Sequence, residues 1–166
     1  MATVTLKGNQ VTTFGELPKI GVDAPNFRLT APDLSPRSLN DYLGHNVILN
    51  IFPSVDTGVC AQSVRTFNEK ASQLDNTKVL CISKDLPFAF ARFCAAERLD
   101  NVETLSDFRD GNFGKNYGLT FVDGPLKALH SRCVVVLDDK SKVIYTEQVP
   151  EITDEPNYEA ALQSLS

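Results

Sequence analysis

The chain changes its hydrophobic rhythm every dozen residues or so, and each change predicts an element. TVTLKGNQVTTF (3–14) alternates apolar and polar positions around Gly8-Asn9, which predicts a β-hairpin. Residues 16–36 carry Pro18, Pro25, Pro32 and Pro36 and read as loop, with one short extended piece at NFRLT (26–30). SLNDYL (38–43) suggests one or two helical turns capped by Ser38. VILNIF (47–52) is a buried strand, too short and too β-rich for a helix. From Cys60 the apolar positions Val64, Phe67, Ala71 and Leu74 follow at spacings of 4, 3, 4 and 3, an amphipathic helix whose stripe includes the cysteine. KVLCIS (78–83) is a second buried strand, so 47–83 forms a β-α-β unit with parallel strands.

Asp85 is a candidate cap for the next helix, which admits Pro87 in its first turn and runs through FAFARFCAAERL. VETLSD (102–107) holds a short strand. Ser106 is placed to begin a helical stretch through Phe113 and Tyr117, weakened by three glycines at 111, 114 and 118. RCVVVLDDKSKVIYTEQV (132–149) reads as strand, turn at 138–141 and strand, and a last helix covers 157–165 with Leu162 and Leu165 inward. With no repeat, linker or low-complexity tract, residues 1–166 are expected to be one α/β domain.

Composition narrows the class of partner. A formal charge of −5 argues against nucleic acid or an anionic membrane surface as the main partner. No apolar run approaches the length of a membrane span. The first residues, MATVTLKGNQVTTF, lack the pattern of a signal peptide, so a cytoplasmic protein is expected. The four cysteines, 60, 81, 94 and 133, include no CxxC pair, which removes zinc-ribbon and thioredoxin-type spacings. His130 and Cys133 make only half of a metal site, and His45 between Gly44 and Asn46 is a turn residue.

Cys60 is the position that calls for chemistry. A strand, a loop opened by Pro53 and a helix start are the usual place for a reactive group in an α/β domain. There the first-turn N–H groups are unpaired and the dipole favours an anion, which suits a thiolate. Spacing alone leaves a second reading equally open, a small core residue on an apolar stripe.

Pro53, Thr57 and Cys60 form P-x-x-x-T-x-x-C, which resembles the active-site loop of the peroxiredoxins. The runs LNIFPSVDTGVC, VLCIS, DLPFA, RFC and DGPLK, the N-terminal hairpin and the closing EPNYEAAL extend that resemblance from Thr3 to Leu165. Among peroxiredoxins the chain is similar to the bacterial thiol peroxidases, atypical two-cysteine members. The resemblance implies a thioredoxin-like fold, a central mixed sheet flanked by helices with an N-terminal hairpin. It implies Cys60 as peroxidatic cysteine, Cys94 as resolving cysteine and Arg132 as the active-site arginine. Thr57 would donate its hydroxyl to the sulfur, and Pro53 would fix the loop without offering a competing N–H.

The implied reaction reduces hydrogen peroxide and organic hydroperoxides through a Cys60 sulfenic acid and a Cys60–Cys94 disulfide, with thioredoxin as reductant and no metal or organic cofactor. A homodimer is implied as well. Cys94 read by itself is more simply a core position, and only the resemblance gives it a redox role. Cys81 is mid-strand and expected inert. Cys133 departs from the family pattern of a small apolar residue after the arginine; strand alternation sends it to the face opposite the site. Phe52, Phe88, Phe90 and Phe93 suggest an apolar collar for alkyl hydroperoxides. Two sulfurs on consecutive helices are expected to lie too far apart to bond without local unwinding. Competing readings are a thiol redox sensor or disulfide oxidoreductase, and a binding module that keeps only the scaffold.

Overall fold

The computed structural model describes all 166 residues. Two strands, β1 (Thr3–Leu6) and β2 (Asn9–Thr12), form the expected hairpin. Its turn residues are Lys7 and Gly8, one position earlier than the sequence suggests, because Leu6 pairs with Asn9. Both central residues have positive φ, 49° and 83°, as a two-residue turn matching the strand twist requires. Glycine supplies that conformation freely at the second position, and lysine bears it at the first.

Seven strands make the main sheet: β3 (Arg28–Thr30), β4 (Pro36–Ser38), β5 (Asn46–Ile51), β6 (Thr77–Ser83), β7 (Glu103–Ser106), β8 (Cys133–Leu137) and β9 (Val143–Gln148). Their order is β4-β3-β7-β6-β5-β8-β9. β5 and β6 are parallel, as are β6 and β7, while β8 joins β5 antiparallel. The sheet is therefore mixed, with the two most buried parallel strands at its centre. This is the thioredoxin-like architecture expected from the sequence.

Three helices, α1 (Gly58–Ala71), α2 (Pro87–Glu97) and α4 (Tyr158–Gln163), pack on one face with Ile48, Phe52, Val134 and Val136 beneath them. The opposite face holds Val47, Leu49, Ile51 and Val135 under α3 (Asn112–Asn116) and the 3-10 turn Leu39–Tyr42. The period-two pattern of β5 and β8 thus feeds two cores at once, which explains why both strands read as continuous apolar runs. Val64 and Phe67 of α1 are fully buried, as their spacing from Cys60 requires. Each such side chain contributes about 1.5–3 kcal/mol of burial. No helix is long and apolar enough to cross a membrane.

Two expectations of helix architecture change. Ser106 ends β7 instead of opening a helix, and α3 is only a five-residue helix entered through Gly111 at φ 68°. Asp85 does not cap α2: the N-cap is Leu86, which has no side-chain acceptor, and Pro87 takes the first helical position. The Asp85 carboxylate turns the other way, with consequences for the site.

Candidate active site around Cys60

β5 and β6 end together, Ile51 opposite Ile82, so the loops that follow them run side by side. The first of these, 52–57, delivers α1; the second, 84–86, delivers α2. Thr57 is the N-cap of α1, in extended conformation, which places Cys60 at the third helical position. The first intrahelical bond is Ala61 N–H to the Thr57 carbonyl, so the N–H of Cys60 has no partner within the helix. The thiol itself is fully buried.

Its polar neighbour comes from across the sheet. Arg132 stands just before β8, 2% exposed, and its Nη2 donates to the Cys60 sulfur at 3.2 Å. Nε donates to the Ile152 carbonyl at 2.8 Å, which fixes the plane of the guanidinium. Nη1 is buried and unpartnered. A buried donor with no acceptor is costly, and here it is aimed beside a nucleophile where an oxygen substrate would satisfy it. Cation, helix start and buried thiol therefore converge on one sulfur.

The first turn of α1 is fastened from beneath. Ser63 Oγ donates to the Cys60 carbonyl at 2.7 Å and accepts from Asn50 Nδ2 of β5 at 3.2 Å. The loop before it is fastened from the side. Asp85 accepts from Ser54 Oγ at 2.7 Å, from the Val55 N–H at 2.9 Å and from Ser83 Oγ. Pro53 is buried, and its ring fixes the backbone where the chain leaves the sheet. Thr57 differs from expectation: its hydroxyl donates to the Ser54 carbonyl at 3.0 Å, closing the 54–57 turn, and is not bonded to the Cys60 sulfur. The turn satisfies the hydroxyl locally, on the exposed side of the loop.

Cys94 lies on α2, half-buried, and all four cysteines are free thiols. Its sulfur faces Thr104 Oγ1 of β7 at 3.8 Å and borders a cleft of about 330 Å³ with Pro32, Val102 and Leu105. Burial pushes the Cys94 thiol above the ordinary range. Cys81 and Cys133 are fully enclosed, and burial pushes each up to about 12. Cys133 packs in the core on the opposite face from Cys60, as strand alternation predicts.

The aromatic collar is mostly core. Phe52 and Phe90 are fully buried and meet edge to face, and Phe93 is half-buried under the Arg65 guanidinium. Only Phe88 is well exposed. His130 is fully buried, bonded to Asp107 at 2.9 Å and Thr120 at 3.2 Å on the α3 side of the sheet.

Sequence reading did not single out Asn50, Ser63 or Ile152, and it gave Asp85 another role. Asp85 carried a signal, an acidic residue before a proline-led helix, but that signal pointed to capping. Only the parallel pairing of β5 with β6 sets its carboxylate against Ser54.

Comparison with known proteins decides what this arrangement belongs to. The Redoxin family matches residues 19–162. Thiol peroxidases of Mycobacterium tuberculosis and Mycobacterium bovis are 56% identical to the chain over 165 residues, 99% of each chain. The chain belongs to the thiol peroxidase family. A peroxiredoxin-like protein from Aquifex aeolicus superposes with a TM-score of 0.92 at 38% identity, covering 99% of this chain and 96% of its own. A thiol peroxidase from Chromobacterium violaceum shares the fold, with a TM-score of 0.91 at 22% identity over 98% and 95% of the two chains. Membership in the thiol peroxidase family makes this an enzyme of thiol-dependent peroxide reduction.

Proposed function

We propose that Cys60 is the peroxidatic nucleophile, activated by Arg132 within a loop shaped by Pro53 and Thr57. The observation that carries this is the buried Cys60 sulfur held 3.2 Å from an arginine whose other terminal nitrogen is unpartnered. The Cys60 thiolate attacks the terminal oxygen of ROOH, the O–O bond breaks, and the departing oxygen takes a proton to leave as ROH, or as water from hydrogen peroxide. Sulfur is oxidised to sulfenic acid. Arg132 Nη1 and Nη2 donate to the oxygens as charge shifts onto them.

The Cys94 thiol then displaces hydroxide from the sulfenic sulfur, giving a Cys60–Cys94 disulfide and water. Thioredoxin returns both thiols by dithiol exchange. Because Cys94 faces Thr104 and its cleft, we assign the disulfide step to a locally opened form of the 58–64 or 88–98 segment. The cycle needs no metal or organic cofactor. It suits the reducing cytoplasm, where a disulfide is a transient redox state. One domain over residues 1–166 carries every step, and a second copy as homodimer partner would cover the exposed Leu86 and Phe88.

The deciding experiment is peroxide consumption with thioredoxin, thioredoxin reductase and NADPH. Wild type should consume peroxide, Cys60→Ser should not, and Cys94→Ser should give a single turnover without the thioredoxin-coupled rate. Substantial turnover by folded Cys60→Ser would remove the assignment.

A further inference from the structure

The hairpin β1–β2 lies outside the seven-stranded sheet and contributes no side chain to the Cys60 pocket. It is nevertheless connected to Arg132: Val149, next to Pro150, holds the Arg132 main chain, and Ile152 holds its side chain. The segment 150–152 runs beside β1, with the Thr5 N–H donating to the Pro150 carbonyl at 2.8 Å and the Ile152 N–H donating to the Thr5 carbonyl at 2.9 Å. Glu151 locks the register. Its carboxylate accepts from the Gly8 N–H at 2.9 Å, Thr5 Oγ1 at 3.0 Å and the Thr153 N–H at 3.0 Å. The backbone N–H groups of Thr153 and Gly8 hold its carboxyl down at about 2, so the clasp stays ionised through the physiological range.

Ile152 joins this accessory layer to the site with three different groups. Its side chain, 3% exposed, packs with Val4, Val11 and Phe121 in a small core of the hairpin's own. Its N–H is held by Thr5, and its carbonyl accepts from Arg132 Nε. That carbonyl sets the orientation of the guanidinium fork, because the five donors of an arginine are rigidly related. Nε bonded to Ile152 leaves Nη2 on the Cys60 sulfur and Nη1 buried without a partner. We infer that Ile152 is a positioning residue for the peroxide step, through which the N-terminal hairpin holds Arg132 in register with Cys60.

The inference rests on the reading of Arg132 as the activating group, and the test separates the two. The readout is the second-order rate of Cys60 with hydrogen peroxide in a single turnover, together with KM for thioredoxin. Arg132→Met should slow the peroxide step about a hundredfold, the loss typical of one transition-state donor. Ile152→Ala, which cuts the anchor to the hairpin core but keeps the carbonyl, should slow it about tenfold, within the range that a displacement near 1 Å produces. Ile152→Val should restore most of the rate, and KM for thioredoxin should not move.

Added to Arg132→Met, Ile152→Ala should cost nothing further, since there is no longer a fork to misplace. A wild-type peroxide rate in folded Ile152→Ala would overturn the inference. So would the same fold-loss in both backgrounds, which would show that the hairpin acts by another route. A wild-type rate in Arg132→Met would remove the underlying reading instead. Should Ile152→Ala not fold, Val4→Ala applies the same test from inside the hairpin, with a smaller loss that must also vanish in Arg132→Met.

Discussion

The two cysteines of the proposed cycle sit on neighbouring helices in very different surroundings. Cys60 is enclosed, at the third position of α1, with its carbonyl, its preceding loop and its sulfur each held by a separate hydrogen bond. Cys94 is half-exposed near the end of α2, and its sulfur has one weak polar contact, with Thr104. The contrast separates two demands. Attack on a peroxide needs a pocket built before the substrate arrives, because orientation and oriented donors are what lower the barrier. Resolution needs a thiol that can move, so rigid placement of Cys94 would hinder the step.

The sharpest way to break the contrast is to take the cation from the built site. Arg132→Met should lower the Cys60 peroxide rate about a hundredfold. It should also slow alkylation of Cys60 at neutral pH and leave alkylation of Cys94 unchanged. Mass-resolved alkylation reads both thiols in one sample. Equal slowing of the two would mean that arginine supports the fold in general and not the Cys60 pocket.

Asp85 is where the two regions touch. Its carboxylate ties the Cys60 loop, through Ser54 and Val55, to the chain that enters α2. Asp85→Asn replaces one acceptor oxygen with a donor and removes the charge from these bonds. A hydrogen bond to a charged group is worth about 1.5–3 kcal/mol, so opening of 54–60 should become at least about tenfold more frequent. Hydrogen exchange at those amides should quicken accordingly, and sulfinic acid formed per turnover should fall because Cys94 gains access sooner. Unchanged exchange at 54–60 would show that Asp85 is not the fastening.

How much of this was legible in the sequence follows the range of the interactions. The strands β5, β6, β8 and β9, α1 with its stripe, and the face chosen by Cys133 follow from local pattern. The short edge strand β4 (Pro36–Ser38), by contrast, was read as the end of a loop and a helix cap because three residues carry no period. The family motif P-x-x-x-T-x-x-C marked the Cys60 loop. Arg132 came from resemblance alone, since nothing local distinguishes it from a surface charge at a strand end. Asp85 was misassigned because its local pattern fits a cap while its partner lies 30 residues away on another loop. Ile152 was invisible: a backbone carbonyl acts, and its address depends on how the chain returns past β1. The α3 segment fell short of its expected length because Ser106 is committed to β7 and its hydroxyl to the Asp85 carbonyl.

A smaller effect comes from pH. Burial raises the Cys94 thiol in the closed form, while an opened segment would return it toward the ordinary value of about 8.5. The closed form therefore keeps its proton to higher pH than the open one. Its advantage is complete below about 8.5 and is lost as pH rises toward the raised closed-form value. Opening near Cys94 should become easier on the alkaline side, by less than about tenfold per pH unit. The rate of disulfide formation from the sulfenic acid, followed at fixed peroxide, should keep climbing past about pH 8.5, where a thiol free of burial would level off. A rate that levels off near about pH 8.5 would mean that Cys94 is already released from its burial in the sulfenic form.

The smallest effect expected is the most specific test of which thiols matter. Cys81 and Cys133 are both fully enclosed and held protonated by burial. Neither has a path to peroxide, and Cys133 is separated from Cys60 by the thickness of the sheet. Cys81 lies closer, under α1, where Asn50 Nδ2 approaches its sulfur at 3.7 Å. Replacing both with alanine removes two buried sulfur atoms and should cost about 1–2 kcal/mol of stability in total, from lost packing. The thioredoxin-coupled rate should stay within about twofold of wild type, since the proposed cycle uses neither thiol. Denaturant midpoint and turnover on the same double variant separate the two quantities. A folded Cys81→Ala/Cys133→Ala protein with a large rate loss would put a third thiol into the cycle. Single variants would then assign it: loss from Cys81 would place it on the α1 side of the sheet with Cys60, and loss from Cys133 would require exchange across the sheet.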